Sequence, residues 1–190
     1  MKREVKILGL SYSQSQIGSY VCVLGEKNGH RKLPIIVKPQ DAQTIALRIE
    51  SMKSPRPLTH DLIKSISESF MLDCQEVQIF KVLEGVFYSK LTFNNGIDDA
   101  TIECTAGDAI ALSLVFNCPL YVSEEVLSLC GIQTDDEGNL ITDDESESTP
   151  QKKDVISIED LKHMMQDAIS NEEYELAAQY RDKIAELEKN

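Results

Sequence analysis

The chain has 190 residues, 42% of them hydrophobic and 27% charged, which suits one ordinary soluble domain with an appendage and leaves no room for two full domains. No apolar run approaches the ~18–20 residues that span a bilayer, and the N-terminus enters an alternating pattern at once, without the apolar stretch of a signal peptide, so a cytoplasmic protein with no membrane partner is expected. The net charge of −13 is unevenly spread: residues 1–130 carry 13 Lys and Arg against 15 Asp and Glu, residues 131–153 carry 2 against 7, and residues 154–190 carry 4 against 10. The acidity thus sits in the C-terminal third, and no basic stripe of the kind that neutralises nucleic-acid phosphates is visible.

In chain order, Val5–Leu10 and Tyr20–Leu24 read as strands, and the polar turn Glu26–His30 predicts a hairpin into Leu33–Val37. Pro39 opens a helix at its first turn, where a missing N–H is harmless, and Ala42, Ile45, Ala46 and Ile49 give it a buried face. A second helix is predicted from Thr59 to about Met71, with Leu62, Ile63, Ile66 and Phe70 as its apolar side. Val77–Val82 and Val86–Phe93 are strands around Glu84-Gly85, Asn94-Asn95-Gly96 turns into Ala100–Cys104, and a nearly all-apolar helix follows over Asp108–Phe116. Pro119–Val122 is a short strand, after which Ser123 caps a last helix. About seven strands interleaved with four helices predict an α+β domain with a mixed sheet over residues 1–130. The all-apolar helix and the modest size of this body point towards a homo-oligomer.

Residues 131–153 are rich in acidic residues, Ser, Thr and Gly, and read as an acidic linker. Periodicity returns at residues 154–190. Leu161, Met164, Met165, Ala168 and Ile169 form one helical stripe, with Ser157 as N-cap. Asn171 is expected to cap a second helix carrying Tyr174, Ala177, Ala178, Arg181, Ile184 and Leu187. Two short amphipathic helices with a tight connection predict an antiparallel hairpin. Such a hairpin is too small to supply its own core, so its seam seeks a protein partner; the alternative is that it packs on its own body or on a second copy.

The five cysteines are widely spaced, lack any C-x-x-C pair, and read as reduced, mostly buried thiols. The densest chemical cluster is Arg56-Pro57-Leu58-Thr59-His60-Asp61-Leu62, where Pro57 and the preceding Pro55 set up a helix start suited to anions. His60 is the histidine placed for acid–base work, and Arg56 and Thr59 are the candidate phosphate contacts. Asp41, Glu103 and Asp108 are further carboxylates near helix starts or a strand end, able with Asp61 to hold a divalent cation if the fold gathers them. Helix capping by Thr59 and Asp61 is the competing reading.

Two resemblances follow from these residues. The run Tyr174-Glu175-x-Ala177-Ala178-x-x-Arg181-Asp182-x-Ile184 resembles the UvrB/UvrC (UVR) motif, which implies a protein-docking hairpin whose contact residues include Leu161, Met165, Tyr174, Ala177, Ala178, Arg181 and Ile184. Leu33–Val37, Asp41-Ala42, the R-P-L-T-H-D-L run, Gly107–Leu112 and Pro119–Val122 together resemble the bifunctional nuclease domain family. That resemblance implies cleavage of DNA or RNA, with His60, Asp61 and Asp108 as catalytic residues. On this reading Asp61 and Asp108 hold Mg²⁺ or Mn²⁺, and no organic cofactor is needed. Where the family commonly shows A-R-P-S-D-A, this chain has Cys104-Thr105-Ala106-Gly107-Asp108-Ala109, keeping the Asp without the Arg and Ser. The alternative is a non-catalytic regulatory or adaptor protein whose body binds a small anion or a protein partner.

Overall fold

The computed structural model describes residues 1–13, 18–133 and 158–188. Its strands are β1 (Lys2–Tyr12), β2 (Tyr20–Glu26), β3 (Arg31–Val37), β4 (Asp73–Leu83), β5 (Val86–Asn94), β6 (Asp99–Thr105), β7 (Leu120–Ser123) and β8 (Ile132–Gln133). Its helices are α1 (Pro39–Ile49), α2 (Thr59–Ser69), α3 (Ala106–Phe116), α4 (Glu124–Cys130), α5 (Ile158–Ser170) and α6 (Tyr174–Leu187). The strands form one sheet in the order β6-β5-β4-β7-β1-β2-β3-β8. All neighbours pair antiparallel except β4 and β7, where Val77 faces Leu120 in a parallel pair. The fold is therefore α+β with a mixed sheet.

Local chemistry fixes the turns. Glu84 and Gly85 both have positive φ, 51° and 78°, the signature of the two-residue hairpin turn whose twist matches its flanking strands. Pro39 occupies the start of α1, and the Ser123 hydroxyl accepts the Val126 N–H to cap α4. The sheet is strongly curled. Strands β4 and β3 lie four places apart, roughly 19 Å if flat at the usual strand spacing. Yet α3 touches both of them, and so does α4. Helix α3 is buried along nearly its whole length between α1, α2 and the sheet. Its apolar surface is covered within the chain, so it gives no support to a homo-oligomer.

Helix α2 departs from the expected burial. Leu62, Ile66 and Phe70 are 56, 49 and 71% exposed, Ile63 is only partly buried, and the buried residues are His60 and Ser67. The helix leans on α3 through its more polar side, where the Lys64 ammonium donates to the Val115 carbonyl at 3.1 Å. Helical spacing reveals an apolar stripe but not which neighbour covers it.

Ile132 and Gln133, expected to begin the linker, instead pair with β3; the rest of the linker lies outside the described residues, as does Ser157. Helices α5 and α6 form the hairpin, but the second helix begins at Tyr174 with Glu173 at its N-cap, and Asn171 belongs to the turn, where Glu172 takes a φ of 61°. The seam residues Leu161, Met164, Ala168, Leu176, Ala177, Tyr180 and Ile184 are buried and continuous with the core of the sheet. The hairpin sits against β1, β2 and α1. The Tyr20 hydroxyl donates to Asp167, the Tyr12 and His163 rings stack at 4.4 Å, and the Gln43 amide donates to Glu173 at 2.7 Å. Lys183 and Glu50 pair at 3.6 Å. Of the residues expected to meet a partner, Leu161, Ala177 and Ile184 are buried, Met165 and Ala178 are half-buried, and Tyr174 and Arg181 remain exposed.

Candidate functional site

Three helices begin at one place. Asp41 is the third residue of α1, His60 the second of α2 and Asp108 the third of α3. One ligand atom from each of these three side chains lies within 4.8 Å of the other two. His60 Nε2 is 3.3 Å from Asp108 Oδ1 and 3.8 Å from Asp41 Oδ1. Asp41 and His60 are buried, while the Asp108 side chain is 42% exposed. The group thus has a closed floor and one open side. Because first-turn N–H groups and helix dipoles favour negative charge, the convergence of three N-termini favours both the carboxylates and an incoming anion.

Neighbouring groups hold each member in place. His60 Nδ1 lies 2.9 Å from the Thr44 hydroxyl, which in turn lies 3.3 Å from the Gln40 carbonyl. If the hydroxyl proton goes to that carbonyl, the Thr44 oxygen accepts Nδ1–H and Nε2 turns its lone pair towards the two carboxylates, the tautomer a metal ligand requires. Asp108 Oδ2 accepts the Thr105 hydroxyl at 2.7 Å, and Thr105 caps α3. Gly107 provides the last element. A Cβ built there would stand 2.2 Å from Asp41 Oδ2, so only a glycine lets this carboxylate lie over the start of α3. Burial, and then the nearby Asp108 charge, hold the Asp41 carboxyl above the ordinary carboxylate range. A cation between the two carboxylates would relieve that repulsion.

The donor set fits a hard or borderline divalent cation. Two carboxylates and one imidazole, with separations of 3.3 and 3.8 Å at the nitrogen, lie close to the roughly 3 Å edges of a six-coordinate site with bonds near 2.1 Å. Asp61, expected to share the metal with Asp108, is used elsewhere. Its Oδ2 accepts the Leu58 N–H at 2.9 Å and its Oδ1 pairs with Arg48. That ties the start of α2 to the end of α1, and Asp41 takes the place expected for Asp61. Thr59 and Arg56 are exposed at and just before the first turn of α2, and Glu103 is exposed on β6. Thr44 and Gly107 carry roles that sequence reading missed. Asp41 was among the carboxylates expected near a helix start, and Pro39 puts it in the first turn of α1 as Thr105 puts Asp108 in that of α3.

Comparison with known proteins bears on this arrangement. The bifunctional nuclease domain matches residues 22–135, which include Asp41, His60 and Asp108. The chain belongs to the bifunctional nuclease domain family. The UvrB/UvrC motif matches residues 156–190. An uncharacterized protein of Mycobacterium tuberculosis is 34% identical over 84% of this chain and 98% of its own length. Bifunctional nuclease 1 of Oryza sativa subsp. indica is 24% identical over 80% of this chain but only 50% of its own length, and a bifunctional nuclease of Oryza minuta matches to the same extent. This bifunctional nuclease domain protein thus matches about half the length of the rice relatives it resembles.

Proposed function

We propose that this bifunctional nuclease domain protein hydrolyses phosphodiesters of DNA or RNA at the Asp41–His60–Asp108 group with the help of Mg²⁺ or Mn²⁺. The observation that carries the reading is the meeting of two carboxylates and one imidazole at three helix N-termini. A bound divalent ion would supply Lewis acidity to phosphoryl oxygens and a more acidic water. Asp41 and His60 anchor that ion from the buried side, and Thr44 fixes the imidazole. Asp108, the exposed carboxylate, faces the substrate side. Arg56 and Thr59 stand exposed at the start of α2, where an approaching phosphate would meet them. Asp61 supports the site by holding α2 to α1.

The test is cleavage of single- and double-stranded DNA and RNA by purified protein, with Mg²⁺, Mn²⁺ or chelator. Metal-dependent cleavage lost in Asp41→Asn, His60→Ala and Asp108→Asn supports the assignment. Equal cleavage by wild type and all three variants would falsify it.

The hairpin is read as a protein-docking element. In support, Tyr174, Arg181 and Ile169 remain exposed although the seam is buried on the body. We place the protein in the cytoplasm, which suits its five free cysteines. The body is proposed as residues 1–130 with the short β8 that follows them, the acidic linker as the part of 131–153 beyond Gln133, and residues 154–190 as the docking hairpin. The non-catalytic alternative remains the reading to adopt should cleavage fail.

A further inference from the structure

Two of the five thiols meet at the far end of α3 from the candidate metal group. Cys74 is the second residue of β4, and Cys118 lies in the connection from α3 to β7. Their Sγ atoms are 3.6 Å apart. The parallel pairing of β4 with β7 brings the two segments together: Val77 faces Leu120, and the Val77 N–H donates to the Pro119 carbonyl at 3.0 Å. Neighbouring strands run about 4.8 Å apart, inside the ~4.4–6.8 Å range of Cα separations that a disulfide bridges. Closing from 3.6 Å to a bond of about 2.0 Å asks for side-chain rotation without a change of fold. Cys104 sits on β6, two strands from β4 in the sheet order, and is the poorer partner.

We infer that Cys74 and Cys118 form an oxidisable dithiol, a modification site that peroxide converts to an intramolecular disulfide. The two residues differ in access, since Cys74 is 5% exposed and Cys118 only half-buried. They also differ in character: the hydrogen bond between the two sulfurs favours the thiolate at Cys118 and, together with burial, disfavours it at Cys74. Cys118 is therefore the attacking sulfur. Its thiolate bonds to one peroxide oxygen, the O–O bond breaks, and hydroxide leaves, giving a sulfenic acid. The Cys74 sulfur then attacks the Cys118 sulfur. An S–S bond forms, the S–O bond breaks, and water departs with the Cys74 proton. Both sulfurs are oxidised by one electron each, and one peroxide is reduced to two waters once the hydroxide is protonated. The cross-link would join β4 to the chain leaving α3, the helix that carries Asp108 at its other end.

The experiment uses the full-length reduced protein, freed of reductant and treated with hydrogen peroxide near stoichiometry. Expected are a loss of two of the five titratable thiols, a mass decrease of about 2 Da, and one non-reduced tryptic species whose tandem fragmentation places the link between Cys74 and Cys118 rather than Cys104 or Cys130, which share the Cys118 peptide. Dithiothreitol should restore all of them. Cys118→Ser should abolish the cross-link, and Cys104→Ser should leave it intact. Retention of all five thiols, a cross-link through Cys104, or sulfinic acid at Cys118 without a bridge each overturns the inference. Because the decisive readout is made on the wild-type chain, misfolding of a variant does not obscure it.

Discussion

Replacing Gly107 by alanine separates the candidate metal group from the stability of the fold. In an ordinary helix this change gains roughly 0.5–1 kcal/mol, because glycine loses more chain entropy on folding. Here the new Cβ would stand 2.2 Å from Asp41 Oδ2, and about 1 Å of further separation is needed to reach an ordinary contact. The clashing atom is a carboxylate oxygen at the end of a short side chain, so rotation of Asp41 relieves most of the overlap. The gain and the residual strain of about 1 kcal/mol then nearly cancel, and chemical denaturation should change by no more than about 1 kcal/mol. Metal binding tolerates much less, since ligand distances are held to about ±0.2 Å. A displacement of 1 Å removes Asp41 as a ligand and should weaken Mn²⁺ binding by at least ~10-fold, judged from the ~10–100-fold cost of perturbing even outer-shell partners. Isothermal titration with Mn²⁺ at neutral pH, beside urea unfolding of both proteins, reads the two effects separately. Wild-type Mn²⁺ affinity in a folded Gly107→Ala protein would refute both the site and the role assigned to the glycine.

Asp41→Asn tests the electrostatics of the same place. Because the folded pKa of Asp41 is raised by burial and by Asp108, its contribution to stability is present below the ordinary carboxylate pKa and is lost as pH rises through the folded value. In chelator the Asn variant should therefore unfold at a higher temperature than wild type at pH 7, with the difference closing near pH 4. With metal at about 100 times its Kd, wild type alone should gain about 2.7 kcal/mol; a metal-induced shift of equal size in the variant counts against Asp41 as a ligand. Asp61→Ala should cost about 1 kcal/mol through the lost contact with the Leu58 N–H, while metal affinity stays within about twofold; selective loss of metal binding in this variant would restore Asp61 to the metal site. Leu161→Ala, fully buried in the hairpin seam, should cost about 2–5 kcal/mol in the stability of that packing and appear as faster amide exchange in α5 and α6; unchanged exchange there would mean the seam is not packed. Glu124 is held at about 2 by hydrogen bonds from Arg31 and then Arg3, so its support is present above the ordinary carboxylate range and lost as pH falls through that value. Carboxyl NMR should show this low midpoint, and Arg31→Met should raise it; an ordinary midpoint in wild type would show that the ion pairs do not persist in solution.

Much of the fold was legible in the sequence because most of its signals are local. Alternation marked the strands, Pro39 and Ser123 marked helix starts, Glu84-Gly85 marked a turn, and the nearly all-apolar run up to Phe116 marked a buried helix. The α5–α6 hairpin was likewise visible in spacings of three and four. These features depend on neighbours along the chain, whose distances the covalent backbone already sets.

The candidate site was half legible. His60 and Asp108 stood out, and the sequence by itself determined that each lies in the first turn of its helix. It could not determine which third carboxylate joins them. Asp61 is adjacent to His60 in sequence, but successive helical residues point about 100° apart, so it turns to Arg48 while Asp41, from a different helix, fills the place. The same limit explains α2, whose apolar stripe is real but faces outward. It explains the hairpin too, whose seam is buried against β1, β2 and α1. Local sequence dictates what each helix is and which residues share its face. Only the packing of the curled sheet decided that three helix starts meet over Gly107, because such contacts join residues far apart in the chain.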